Sequence, residues 1–195
     1  MNRFFQNLFA SCALIFIVGV YVSAQQASIP SLPPESSPLS FRLRGIDRRT
    51  YDLNEMRGEV VLVSFGATWC LPCSAELVAL EALRSEYANR PVRFFWVSTD
   101  REDVSNGLLR NYARERRLTM PILRDPDQTT FMQFTNRPRI PMVVLFDKEG
   151  RFDDPAHFGM STPDAYSRLM RRRIDALLQP TADANAQPGA VVRHD

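Results

Sequence analysis

The stretch Glu59-Val60-Val61-Leu62-Val63-Ser64-Phe65-Gly66-Ala67-Thr68-Trp69-Cys70-Leu71-Pro72-Cys73 decides the fold. Its first half, Glu59 to Phe65, is a nearly continuous apolar run rich in valine. Such a run predicts a strand buried on both faces, and strands of that kind belong to sheets covered by helices. Its second half holds a C-x-x-C and leads into Leu77, Leu80, Leu83 and Tyr87, an apolar stripe at helical spacing with Glu81 and Ser85 on the opposite face. A buried strand therefore runs into a helix, with the cysteines at the junction. There the first sulfur meets the positive end of the helix dipole, which favours thiolate. Cys70 is accordingly expected to be the exposed nucleophile. Cys73, one turn further in, is expected to resolve a mixed disulfide. Pro72 suits a first helical turn, where its missing N–H costs nothing.

Outward from this junction the same alternation continues. Phe41-Arg42-Leu43-Arg44-Gly45 and Thr50-Tyr51-Asp52-Leu53 predict a hairpin around a Gly/Asp turn. Val92 to Val97 predicts a second buried strand, Glu102 to Arg117 a polar amphipathic helix, and Met142 to Phe146 a third strand. Asp147-Lys148-Glu149-Gly150 predicts a turn into an edge strand. Thr162-Pro163-Asp164 is a helix start, with Thr as cap and Pro in the first turn, leading to Leu169, Ile174, Leu177 and Leu178. The order β-α-β-α-β-β-α implies an α/β domain with a mixed central sheet, helices on both faces and an N-terminal hairpin extension.

The ends read differently. Met1-Asn2-Arg3 precedes an apolar run from Leu8 to Val22 and the small-residue pattern Val22-Ser23-Ala24, so residues 1–24 are expected to be a signal peptide or signal anchor. The run is shorter than the roughly 20 residues a bilayer span needs, which favours cleavage over anchoring. Residues 25–40, with Pro30, Pro33, Pro34 and Pro38 among serines, are expected to form a linker. The domain is expected over 41–179, followed by a disordered tail over 180–195. The 195 residues suit one domain. The balance of 24 Lys and Arg against 22 Asp and Glu gives no reason to expect nucleic acid as a partner.

Three cysteines are present, and Cys12 lies within the leader. Its removal leaves one C-x-x-C in an oxidising compartment, free to open and close as chemistry. Half of a zinc site is the other use of a lone C-x-x-C. It needs two further ligands, and His157 and His194 are the two histidines, the second in the tail.

Phe65-Gly66-Ala67-Thr68-Trp69-Cys70-Leu71-Pro72-Cys73 resembles the active-site segment of thioredoxin-like proteins, in particular the TlpA/ResA-like branch of exported disulfide reductases. Asp52-Leu53-Asn54-Glu55-Met56-Arg57-Gly58 resembles that branch's lead-in. Arg139-Ile140-Pro141-Met142-Val143-Val144-Leu145-Phe146 resembles its cis-proline segment. The resemblance implies that Pro141 is cis and faces the cysteines, and that the backbone at Ile140 pairs with an extended substrate peptide. By sequence rules alone a trans proline at a strand's first residue is also allowed. Glu76 falls on the same side of its helix as Leu77 and Leu80. By resemblance it is a proton-handling group beside the pair, and a solvated helix glutamate is the alternative. Ser64 stands where cytosolic thioredoxins carry a buried acid, and a hydroxyl cannot replace that acid as a base. Gly66 departs from the aromatic residue usual there and is expected to loosen packing beside the site. Trp69 is expected to shield Cys70. His157 reads as a loop residue.

The expected activity is reduction of protein disulfides by thiol:disulfide exchange in the periplasm, with catalytic Cys70, Cys73 and Glu76, substrate contacts from Trp69, Ile140 and Pro141, and no metal or cofactor beyond the dithiol. Expected partners are protein disulfides and a redox partner, with inner-membrane anchoring through residues 8–22 as an option. Leu71-Pro72 does not set the direction of electron flow: related couples span roughly −120 to −270 mV. A Dsb-like oxidase or isomerase, or a dithiol metal-binding module, stands as the alternative.

Overall fold

The computed structural model describes residues 39–179. The expected signal, most of the linker and the expected tail lie outside the described residues. Seven strands, β1 (Arg42–Gly45), β2 (Thr50–Asp52), β3 (Val60–Gly66), β4 (Val92–Ser98), β5 (Ile122–Arg124), β6 (Met142–Phe146) and β7 (His157–Phe158), form one sheet in the order β2-β1-β5-β4-β3-β6-β7. The central β5, β4 and β3 run parallel. The flanking pairs β1/β5, β1/β2, β3/β6 and β6/β7 are antiparallel, so the sheet is mixed.

Every residue of β3 and β6 is buried, as a strand covered on both faces requires. Alternation sorts their side chains into two cores. Val60, Leu62, Phe94, Trp96, Val143 and Leu145 face one side, where α1 (Leu71–Glu86), α2 (Asn106–Glu115) and α3 (Pro163–Leu178) pack. Val61, Val63, Phe65, Phe95, Met142, Val144 and Phe146 face the other, against Leu53 and Met56 of one 3-10 helix and Phe131 of a second. Helical segments thus cover both faces unequally, three α-helices against two short 3-10 turns. Phe134 and Phe152 fill the thinner side by ring contacts with each other and with Phe146.

Leu77, Leu80 and Leu83 of α1 are fully buried at the spacing read from the sequence. Each contributes about 1.5–3 kcal/mol by leaving water. Two helices differ from expectation in detail. α2 begins at Asn106 rather than Glu102, because the Ser105 hydroxyl accepts the Leu108 N–H at 3.2 Å and caps it there. α3 buries Tyr166, Met170, Ile174 and Leu178, while Leu169 and Leu177 lie at the margin of its apolar stripe. Among the described helices none is long and apolar enough to cross a membrane.

Candidate active site

β3 delivers the chain to the mouth of α1, and Cys70 caps that helix. Its backbone is extended and its Sγ accepts the Cys73 N–H at 3.2 Å, the place usually taken by a Ser, Thr or Asp oxygen. Cys70 and Cys73 are joined in a disulfide with their Cα atoms 5.2 Å apart. When that bond opens, the Cys70 sulfur keeps an N–H donor and the positive end of the helix, both of which stabilise thiolate. Cys70 is less open than the motif suggested, at 4 % exposure against 1 % for Cys73. The exposed groups are its neighbours Trp69 and Leu71, at 76 % and 83 %. Trp69 is therefore no core residue. It stands with Leu71 as an apolar lip around a nearly closed pair.

The segment before the cysteines is held by a residue the sequence reading missed. Asp100, buried just past β4, accepts the Thr68 N–H at 2.9 Å and the Thr68 hydroxyl at 2.8 Å, and the Ser98 hydroxyl donates to it at 2.9 Å. The Thr99 N–H donates to the Gly66 carbonyl at 2.8 Å and fastens the same turn. No local motif marks Asp100. Only the parallel register of β3 on β4, which ends at Gly66 opposite Ser98, brings it there.

Glu76 is fully buried, so the solvated alternative is excluded. The Ser64 hydroxyl donates to its Oε2 at 2.7 Å and the Tyr166 hydroxyl to its Oε1 at 2.8 Å. Burial pushes its carboxyl up to about 7, although both hydrogen bonds favour the charged form. Tyr166 is raised well above its ordinary value by burial and by the adjacent carboxylate. Ser64 is thus the support of an acid supplied by α1 rather than the site of one on β3. The His157 ring lies 5.6 Å from that of Tyr166, in β7 rather than in a loop. Burial holds its imidazole below the usual value.

Ile140–Pro141 is a cis peptide bond, as is Asp154–Pro155. Ile140 packs on the small cluster of Ala67, Cys70 and Cys73. The Gly159 N–H donates to the Pro141 carbonyl at 2.9 Å, whereas no hydrogen bond among the described residues engages the Ile140 backbone. β3/β6 register, extended by one residue past Phe65↔Met142, sets Pro141 beside Gly66. Gly66 is a point of close approach rather than of loose packing: a Cβ there would lie 3.2 Å from both Cβ and Sγ of Cys73 and 3.1 Å from Trp96 Nε1. Among the described residues no group of three or more His, Cys, Asp or Glu side chains is placed to hold a metal.

A mixed sheet that opens through a buried strand onto a cysteine-capped helix, faced by a cis-proline loop, defines the class of thioredoxin-like oxidoreductases. The chain belongs to the AhpC/TSA family, whose model matches residues 36–153. It is 28 % identical over 171 residues to the thioredoxin-like protein YneN of Bacillus subtilis, covering 85 % of this chain and 95 % of that one. It is 29 % identical over 133 residues to the thiol-disulfide oxidoreductase ResA of Oceanobacillus iheyensis, covering 64 % of this chain and 66 % of that one. Among solved structures it resembles a thiol:disulfide interchange protein of the thioredoxin family from Chlorobium tepidum, with a TM-score of 0.61 at 19 % identity over 76 % of this chain and all of that one.

Proposed function

We propose that this protein is an exported thiol:disulfide oxidoreductase that reduces protein disulfides in the periplasm, using no cofactor beyond its own dithiol. The observation that carries the reading is the disulfide at the mouth of α1, in which Cys70 Sγ already accepts a helix N–H. In the reduced enzyme the Cys70 thiolate attacks one sulfur of a substrate disulfide. A mixed disulfide forms and the displaced substrate sulfur leaves as thiolate. Cys73 then gives up its proton, attacks Cys70 Sγ and releases the second substrate sulfur, leaving the enzyme oxidised and the substrate reduced by two electrons. Glu76, one turn beyond Cys73 and with its carboxyl raised to about 7, is matched to take and return that proton near neutral pH. The unengaged backbone of Ile140, packed beside the sulfurs, suits strand addition by an extended peptide, and Trp69 and Leu71 offer it apolar contact. A dithiol partner restores the reduced state.

Supporting the reading are the names thiol-disulfide oxidoreductase and thiol:disulfide interchange protein carried by the relatives. Export follows from the leader over residues 1–24, with anchoring through residues 8–22 if it is retained. An insulin-reduction assay with dithiothreitol as donor tests the activity, and fractionation of cells expressing the full chain tests the compartment. Turnover that survives Cys70→Ser, or a cytoplasmic full-length chain, overturns the corresponding half of the proposal.

A further inference from the structure

Trp96 is fully buried in β4, and its ring stacks on that of Tyr112 in α2, with centroids 5.1 Å apart and 23° between the planes. The Arg116 guanidinium lies over the Tyr112 ring at 3.6 Å and is itself held by donating from Nε to Ser74 Oγ at 2.7 Å. That stack fixes the indole plane. Yet Trp96 Nε1 has no hydrogen-bond partner among the described residues, one of two such buried side-chain atoms together with the Tyr112 hydroxyl. A buried donor left unpaired is costly and calls for a reason. The place where the indole nitrogen comes close to the active site is Gly66. The point where a Cβ would sit there is 3.1 Å from Trp96 Nε1 and 3.2 Å from Cys73 Sγ, so nitrogen and sulfur both border the space left by one missing methyl group.

We propose that the Trp96 indole N–H is a donor reserved for the reduced state, in which it binds the Cys73 sulfur, and that Gly66 is the opening that lets it do so. A disulfide sulfur accepts hydrogen bonds poorly, whereas a thiol and above all a thiolate accept them well. The N–H is therefore unpaired when the cysteines are joined and paired when they are apart, a difference that favours the reduced form and raises the reduction potential. The inference rests on the thiol:disulfide reading. Opening the bond takes two electrons from a reducing dithiol or two monothiols. The S–S bond between Cys70 and Cys73 breaks, the two sulfurs take up one or two protons according to pH, and the reductant's sulfurs become joined. Of the ionisable groups on the neighbouring elements, Glu76 is held by Ser64 and Tyr166, Arg116 by Ser74 and the Tyr112 ring, Asp100 by Thr68 and Ser98, and Arg139 lies over the Phe158 ring.

Equilibration of the full chain with glutathione at pH 7 reads the effect. Trp96→Phe is expected to move the equilibrium about tenfold toward the disulfide, which for a two-electron couple lowers the potential by about 30 mV. Gly66→Ala, which pushes indole and sulfur apart, is expected to move it in the same direction. A measurement on the parental protein does not depend on the folding of any variant. With two tryptophans in the chain, the indole proton of Trp96 is readily resolved by NMR, and reduction is expected to shift it downfield and slow its exchange with solvent. An indole proton whose shift and exchange ignore reduction, or a Trp96→Phe potential equal to the parental one, overturns the inference. A couple that does not exchange with glutathione at all overturns the thiol:disulfide reading itself.

Discussion

The Tyr166 hydroxyl donates to Glu76 Oε1 at 2.8 Å, joining the first and last helices across ninety residues of sequence. With the Ser64 hydroxyl on the other oxygen, this bond places a carboxyl in the core on the helix of the active-site cysteines. Burial outweighs both donors and raises the group to about 7.

A carboxyl that binds its proton more tightly in the folded state than in the unfolded chain is stabilising when protonated and costly when charged. Between the ordinary 4.5 and about 7 the native state holds the extra proton, so stability falls as pH rises through that window. The loss amounts to about 3 kcal/mol by pH 8. Glu76→Gln keeps the volume and removes the charge, so its stability relative to the parent is expected to grow by that amount from pH 4 to pH 8. Urea unfolding of both proteins across this range checks it. Parallel profiles would mean that Glu76 does not titrate in the core.

Tyr166→Phe removes one donor from the same carboxylate while leaving the ring in place. The charged form loses most, so the Glu76 carboxyl is expected to rise further, above about 7. The destabilisation is expected to be small at pH 5 and about 1–3 kcal/mol at pH 8. The pH dependence of insulin reduction should shift upward with it. Equal destabilisation at both pH values would show that the hydroxyl serves packing rather than the charge on Glu76.

Asp100 supports the Thr68 N–H and hydroxyl directly ahead of Cys70. Asp100→Ala leaves the partly buried Thr68 N–H unpaired and is expected to destabilise by about 1–3 kcal/mol. It is also expected to slow disulfide reduction, since the turn that presents Cys70 loses its anchor. Asp100→Asn, which keeps an acceptor, is expected to recover much of both. Thermal unfolding and the insulin assay on the two variants separate them.

Most of the frame was legible because it rests on local pattern. The run from Val60 to Phe65 is buried throughout, and the stripe of Leu77, Leu80, Leu83 and Tyr87 faces the core. Thr162 caps its helix as read, its hydroxyl accepting the Ala165 N–H at 3.3 Å. What escaped depends on pairing between distant segments. β5 is three residues between Pro121 and Pro126, too short to show a period, and is a strand because β4 and β1 flank it. Asp100 and Tyr166 carry no signature of their own and gain meaning from the segments they reach. Glu76 was placed on the correct side of its helix by spacing, but the depth of its burial depends on Tyr166 and Ser64 closing over it. Gly66 was read as a defect because the sequence does not show Trp96 and Cys73 converging on it.

The division of labour between the two sulfurs is the centre of the account, and trapping tests it most directly. Cys73→Ser retains the sulfur at the helix cap and lacks the one that releases substrate, so mixing the reduced variant with a disulfide-containing protein is expected to accumulate a covalent complex on a non-reducing gel. Cys70→Ser is expected to accumulate none. A complex formed by Cys70→Ser and not by Cys73→Ser would contradict the assignment of Cys70 as nucleophile.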